Sequence, residues 1–308
     1  MPCTGPLKGY RARAVNPDTG RRPIVFDKKD ALVDLPVTLP CGRCAGCRLE
    51  RSRVWAVRCM HEAQMYDENA YVTLTYRDED LPFGGQLVIE DFQKFMKRLR
   101  KVLPQRVKVF YCGEYGEEED RPHWHAILFN VGFRDKVFFK YSNGIPLFTS
   151  DFLSAKWGMG HCTVGDVTFE SAAYVARYTT KKITGDMAYE HYRREVVVPE
   201  TGEVREVHRR PEFAKMSQGI GFGWWQKYGK EVYPDDFIVM NGYRMKVPKF
   251  YDRKLEVEDK GLYREIKGRR IRRAKERADD NTEARLLVKK QVIEGRLKLL
   301  PRKLRSED

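Results

Sequence analysis

The chain has no run of eighteen apolar residues, and its mean hydropathy is −0.62. A membrane-spanning helix is therefore not expected. The start, Met1-Pro2-Cys3-Thr4-Gly5-Pro6, lacks the apolar stretch of a secretory signal. No GxxxxGK[ST] phosphate loop occurs, so nothing points to a nucleotide-hydrolysing motor, and no internal repeat is visible. Histidine is scarce, with six in 308 residues, and acidic residues are outnumbered. There are 58 Lys and Arg against 44 Asp and Glu, a net charge of +14. Such an excess suits a polyanionic partner, nucleic acid above all, because basic side chains displace counterions condensed on phosphates.

What is present supports a packed core: 42% hydrophobic and 12% aromatic residues. Three stretches are expected. Residues 1–60 are rich in Cys and Arg, 61–250 hold strands and amphipathic helices, and 251–308 form a basic, helical tail. The tail has 19 Lys and Arg against 12 Asp and Glu. In the middle stretch, Tyr71–Tyr76 reads as a strand, being β-branched and aromatic. Phe92, Phe95, Met96, Leu99 and Leu103 form one stripe of a helix over 89–102. Strands are expected at 107–111 and 124–129, a second helix over 167–182 stopped by Gly185, and a hairpin around Pro199-Glu200-Thr201-Gly202. This order predicts an α+β fold, an antiparallel sheet with helices on one face.

The sharpest signal is His123-Trp124-His125. Residues i and i+2 of a strand share a face, with Cα atoms roughly 6–7 Å apart, so the two imidazoles can share one divalent ion. Glu114 is the candidate third ligand, and Glu117 and Glu118 in the following acidic turn are weaker ones. A hard carboxylate beside them suits Mg²⁺ or Mn²⁺. The same pair also fits two surface histidines, or the two-His, one-carboxylate site of an iron oxygenase.

Tyr174, Tyr178 and Lys181 are spaced i, i+4, i+7 and share a helix face. A phenol is a weak nucleophile near neutral pH, but a metal on the phosphate and a lysine on the phenolate lower the cost of attack. The resulting phosphotyrosine conserves the phosphodiester bond energy, so rejoining needs no nucleotide. Two such tyrosines can alternate. Ordinary burial of the pair is the competing account, with Val175 and Ala176 as other candidates for the buried face.

These residues together resemble the HUH endonuclease superfamily. Tyr71–Tyr76 is similar to its first motif, His123-Trp124-His125 to its second, and Tyr174–Lys182 to its third in two-tyrosine form. The tyrosine pair and Cys41-Gly-Arg-Cys-Ala-Gly-Cys47 resemble replication initiators of small single-stranded DNA bacteriophages, the gokushovirus type of microvirus. The resemblance implies a ferredoxin-like core with the tyrosine helix alongside, and rolling-circle initiation. Tyr174 and Tyr178 would be the nucleophiles, Lys181 the accessory charge, and Glu114, His123 and His125 the metal ligands. Nicking would leave a 5′-phosphotyrosine and a free 3′-OH for host polymerase, with host helicase as a further partner, in the bacterial cytoplasm. Lys182 is the alternative to Lys181, about 100° further round the helix. A transposase or relaxase of the same superfamily is a near neighbour.

Seven cysteines are an odd number, and the chain has no export signal, so metal ligation is favoured over disulfides for Cys3, Cys41, Cys44 and Cys47. Tetrahedral Zn²⁺ is the natural structural occupant. An iron–sulfur run would place a further cysteine where Arg51 stands. Three free cysteines in a glycine-rich turn are the alternative. Trp224 and Trp225 could stack on bases or be buried. Lys267 to Arg277 could track phosphates or form a solvated helix. Two other functional classes compete: a non-catalytic zinc-dependent nucleic-acid-binding regulator, and a structural virion protein. Neither gives His123, His125 or the tyrosines a role.

Overall fold

The computed structural model describes residues 3–116, 120–142, 144–177, 186–233 and 235–299. The chain forms two compact units, Met1–Arg51 with Lys267–Leu300, and Ser52–Ile266.

The first unit opens with a small antiparallel sheet, β1 (Leu7–Ala12), β2 (Ile24–Val25) and β3 (Ala31–Leu39), in the order β2-β1-β3. Helix α1 (Ala45–Ala63) begins here and continues into the second unit. The sequence pattern did not announce this sheet, because β3 buries only Ala31 and shows no clean alternation.

The second unit is built on β4 (Asn69–Thr75), α2 (Ile89–Val102), β5 (Lys108–Tyr115), β6 (Pro122–Phe129), β7 (Val137–Ser142), β8 (Ile145–Thr149), α3 (Asp151–Trp157), β9 (Cys162–Gly165) and α4 (Phe169–Arg177). Then come α5 (Met187–Tyr192), β10 (Arg193–Val197), β11 (Val204–His208), β12 (Phe213–Met216), α6 (Phe222–Val232), β13 (Ile238–Met240), β14 (Tyr243–Met245) and α7 (Lys249–Glu258). Helices α8 (Lys260–Glu276) and α9 (Glu283–Leu299) follow, the residues from Lys267 on belonging to the first unit, and the described part of the basic tail is largely helical.

Seven strands form one antiparallel sheet in the order β12-β5-β6-β4-β9-β8-β7. The expected strands and the helix over 89–102 are present, with longer strands, and β5 runs four residues past Tyr111 and so takes in Glu114; the end of the second expected helix and its stop at Gly185 lie outside the described residues. The hairpin closes around the expected turn, pairing Val197 with Val204. Helix α4 begins at Phe169 rather than Val167, because Thr168 and Ser171 exchange hydrogen bonds that cap its start.

The helices do not lie on one face of the sheet. Val72, Leu74, Trp124, Ala126 and Leu128 pack toward α2, whose Phe92, Phe95, Met96 and Leu99 are buried. Tyr71, Ile127 and Phe129 pack on the other side against Ala56 and Cys59 of α1 and Ala172, Val175 and Ala176 of α4. The central strands are buried almost end to end, which requires cover on both faces. Helix α2 is further favoured by Glu90 and Asp91 in its first turn and Arg100 and Lys101 in its last, which complement the helix dipole.

Gly113 sits opposite Trp124 in the β5–β6 ladder. A Cβ there would lie 2.8 Å from the Trp124 ring and 3.0 Å from Leu87. Glycine therefore lets the indole lie flat against β5, next to Glu114. A third core joins Val57 of α1 to Trp225, Tyr233, Tyr251 and Leu255. Trp225 donates to Glu258 Oε1 at 2.8 Å, and Trp224 stacks on His61 with centroids 3.6 Å apart. Both tryptophans thus serve packing.

Candidate metal centre and tyrosine helix

Register brings the three expected ligands together. In the β5–β6 ladder Glu114 faces His123, and Cys112 faces His125. His123 and His125 project to the face opposite Trp124, where Glu114 also lies. His123 Nε2 is 2.7 Å and His125 Nε2 2.8 Å from the same oxygen, Glu114 Oε1. Glu114 is 2% exposed and His125 2%. The three donor atoms lie within 4.8 Å of one another.

The hydrogen bonds behind the ligands decide what this cluster needs. His123 Nδ1 is 3.0 Å from the Arg121 carbonyl, which can only accept, so Nδ1 carries the proton. Nε2 of a neutral His123 is then a lone-pair acceptor, facing a carboxylate oxygen that is also an acceptor. His125 Nδ1 lies 2.7 Å from the Tyr71 hydroxyl and 3.0 Å from Thr73 Oγ1, which accommodate the same tautomer. Two acceptor nitrogens converging on one carboxylate oxygen are stable only with a cation among them, a proton on imidazole or a metal ion. Burial pushes the Glu114 carboxyl up, but the charges and hydrogen bonds of His123 and His125 more than offset it and hold it down at about 2. Burial holds the Tyr71 phenol well above its ordinary value, reinforced by nearby Tyr174, so it stays a neutral hydrogen-bonding group.

The turn that delivers His123 is pinned from outside. Asp120 has φ +55, and its carboxylate meets Arg194 at 2.5 Å and Arg209 at 3.2 Å. The Arg121 guanidinium donates to the Tyr76 carbonyl, and the Arg121 carbonyl also accepts from Gly116 N–H. Reading the sequence did not single out Tyr71, Thr73, Asp120, Arg194 or Arg209. Tyr71 and Thr73 had a usable signal, since alternate residues of the first strand must share the histidine face. The arginine clamp had none, because it joins Asp120 to positions 74 and 89 residues away.

Helix α4 places Tyr174 beside the cluster. Ser52 Oγ donates to the Ala173 carbonyl at 2.8 Å, and Ala172, Val175 and Ala176 are buried. The Tyr174 ring is perpendicular to the His125 ring, with centroids 5.1 Å apart, and the Arg177 guanidinium lies 6.0 Å from the Tyr174 centroid. Tyr178 and Lys181, and with them Lys182, Glu117 and Glu118, lie outside the described residues.

In the first unit, Cys3, Cys41, Cys44 and Cys47 converge, their sulfurs within 4.8 Å of one another. Cys3 Sγ is 3.6 Å from Cys41 Sγ and 3.9 Å from Cys44 Sγ. Backbone N–H groups of Thr4, Cys41 and Cys44 donate to Cys44, Cys3 and Cys41 sulfurs respectively. For Cys44, burial raises the thiol, but hydrogen bonds from the Thr4 and Cys47 backbone N–H groups and from the Thr4 and Cys41 side chains outweigh it and bring it down to about 6. Cys47 is pushed up to about 12, by burial first and then by Cys3 and Cys44. All four could ionise together only with a cation among them.

A family model described as replication-associated protein ORF2/G2P matches residues 69–183. Replication-associated protein VP4 of Bdellovibrio phage phiMH2K, a microvirus, is 33% identical over 267 residues, covering 82% of this chain and 76% of its own length. Replication-associated protein ORF2 of Spiroplasma virus 4 is 33% identical over 275 residues, covering 84% and 78%. Replication-associated protein ORF4 of Chlamydia phage 1 is 30% identical over 237 residues, covering 72% of this chain and 55% of its own length. No solved structure matches the chain. The matched span takes in β4, β5, β6 and α4, which carry the Glu114–His123–His125 cluster and Tyr174, and the chain belongs to the family of phage replication-associated proteins.

Proposed function

We propose that the chain initiates rolling-circle replication by nicking and rejoining single-stranded DNA at the phage origin through tyrosine attack. The observation that carries this reading is the Tyr174 ring lying 5.1 Å from His125, itself one of three ligand groups gathered within 4.8 Å. The donor set, two imidazole nitrogens and one carboxylate oxygen, fits a divalent ion such as Mn²⁺ or Mg²⁺. Bound by Glu114, His123 and His125, the ion would polarise the scissile phosphate.

The chain's own residues do the remainder. The Arg121 carbonyl and the Tyr71 and Thr73 hydroxyls fix the imidazole rings, so the ligands are oriented before DNA arrives. The Tyr174 hydroxyl, deprotonated, attacks phosphorus; the P–O3′ bond breaks and the departing 3′ oxygen takes up a proton. The products are a 5′-phosphotyrosine and a 3′-OH that primes host polymerase, with host helicase opening the duplex ahead. A 3′-OH attacking the phosphotyrosine reverses the step and closes the circle. Tyr178 supplies the second nucleophile and Lys181 the accessory charge in this reading. In the other unit, Zn²⁺ would hold the four cysteines: a Zn–S length of about 2.3 Å gives a tetrahedral S···S edge of about 3.8 Å, and the pairs above stand at 3.6 and 3.9 Å.

The test is a labelled single-stranded circle carrying the origin, incubated with protein and Mn²⁺ and run on a denaturing gel. A covalent adduct that needs metal and disappears in the Tyr174→Phe/Tyr178→Phe double variant is expected. Tight binding with no adduct on any origin strand would leave the non-catalytic, zinc-dependent DNA-binding regulator instead.

A further inference from the structure

At the end of the seven-stranded sheet, β7 exposes an unusual run: Val137 at 64%, Phe138 at 51%, Phe139 at 52% and Tyr141 at 67%. An apolar edge strand invites pairing with another strand. Two features here work against that. The register slips between Phe138 and Lys140, a bulge that breaks the ladder. Lysines also interleave with the rings: Lys136 Nζ lies 5.3 Å from the Phe148 centroid and Lys140 Nζ 5.6 Å from that of Phe139. The bulge brings Phe138 and Tyr141 side by side, centroids 5.1 Å apart, with Phe148 at 6.1 Å from Phe138.

Exposed aromatic faces among ammonium groups suit a ligand that alternates flat rings with negative charge. Single-stranded DNA is that ligand, since bases stack on aromatics whatever their sequence and phosphates meet the lysines. The rings lie with Phe148 on the α2 face of the sheet, and Lys140, paired with Leu147, points to the face of the Glu114–His123–His125 cluster, so a strand crossing the β7 edge passes from the rings to that face. Leu147, which pairs with Lys140, and Ser142 line a cleft with Tyr71 and Thr73, the residues whose hydroxyls hold His125. Four interstrand spacings separate β7 from β6, about 19 Å, a distance within the run of about 4–16 nucleotides that single-strand grooves hold.

We propose that β7 is a stacking platform for the single-stranded DNA flanking the scissile phosphate, with bases on Phe138, Phe139 and Tyr141 and phosphates near Lys136 and Lys140. The identity of the held strand rests on the nuclease reading; the platform is tested without chemistry. Binding of fluorescein-labelled dT20 to the full chain is measured by anisotropy in EDTA across a salt series. Phe138→Ala/Tyr141→Ala is expected to weaken binding by about ten-fold or more, while Phe138→Tyr/Tyr141→Phe keeps it. Lys136→Ala/Lys140→Ala is expected to flatten the log–log salt slope by about 1.4, roughly 0.7 for each phosphate no longer neutralised. Circular dichroism and melting temperature check that the variants fold, which their exposure favours. Undiminished dT20 binding in both double variants overturns the proposal, as does absence of dT20 binding by the unmodified chain. A change of sedimentation state with unchanged DNA affinity also overturns it, and marks β7 as an interface between copies. An origin-strand adduct formed by the unmodified chain in Mn²⁺ tells failure of the platform from failure of the nuclease reading.

Discussion

Replacing Glu114 with glutamine probes the central cluster without changing its shape. In the parent chain the carboxylate oxygen stands 2.7 and 2.8 Å from two imidazole nitrogens, and His123 is held with its proton on the far nitrogen. A metal ion at this point binds the folded state only. At a free concentration one hundred times its dissociation constant it stabilises by about 2.7 kcal/mol. For a unit of this size, roughly 2–4 °C per kcal/mol applies, so Mn²⁺ is expected to raise the melting temperature by about 5–11 °C. In Glu114→Gln the charge is gone, and the amide N–H can donate to His123 Nε2 directly. The metal-free cluster is then satisfied without a cation, and the Mn²⁺ shift should fall to about 1 °C or less. The assay is differential scanning fluorimetry over a Mn²⁺ series, with isothermal titration calorimetry for affinity. Cys44→Ser should leave the Mn²⁺ response intact, since the thiolate cluster prefers softer ions. A full Mn²⁺ shift in Glu114→Gln would refute the assignment of the carboxylate as ligand and leave the histidine pair acting alone.

Gly113→Ala places a Cβ 2.8 Å from a buried indole, and a loss of about 1–3 kcal/mol is expected in urea unfolding; a neutral effect would mean that β5 shifts freely. His61 is buried, stacked on Trp224 and 2.8 Å from the Tyr251 hydroxyl, and burial depresses it from 6.5 to about 3. The folded chain therefore binds fewer protons than the unfolded one between those values, so stability is complete above pH 6.5 and falls as pH drops toward 3. From pH 6.5 to 4.5 this one group accounts for at most about 2.7 kcal/mol. His61→Gln should flatten that part of the pH profile, and an unchanged slope would place the acid sensitivity elsewhere. Metal analysis of chain purified without chelator should give one Zn²⁺ per chain and none in Cys44→Ser, with faster proteolysis of residues 1–51. Equal zinc in both would show that the four sulfurs are not its site.

The candidate triad was legible because it rests on short-range rules. The i, i+2 spacing of His123 and His125 sets their common face, and Trp124 between them is buried on the opposite side. The amphipathic stripe of α2 and the turn at Pro199–Gly202 were readable for the same reason. The cover of both sheet faces was not, since an apolar strand residue reveals that it is buried but not against what. Nor were the N-terminal sheet, Gly113 against Trp124, or the Asp120–Arg194–Arg209 clamp.

The sequence by itself determined the chemistry available: two histidines on one strand face, tyrosines at helical spacing, and a Cys-x2-Cys-x2-Cys run with a distant Cys3. Local periodicity is a property of the backbone and needs no partner to be read. Only the tertiary structure decided which oxygen the two imidazoles share, that Tyr71 and Thr73 stand behind His125, and that Tyr174 comes to the same place. Those facts depend on strand register and on helix packing across more than a hundred residues of sequence, where many pairings satisfy the local pattern and a single packed core selects one.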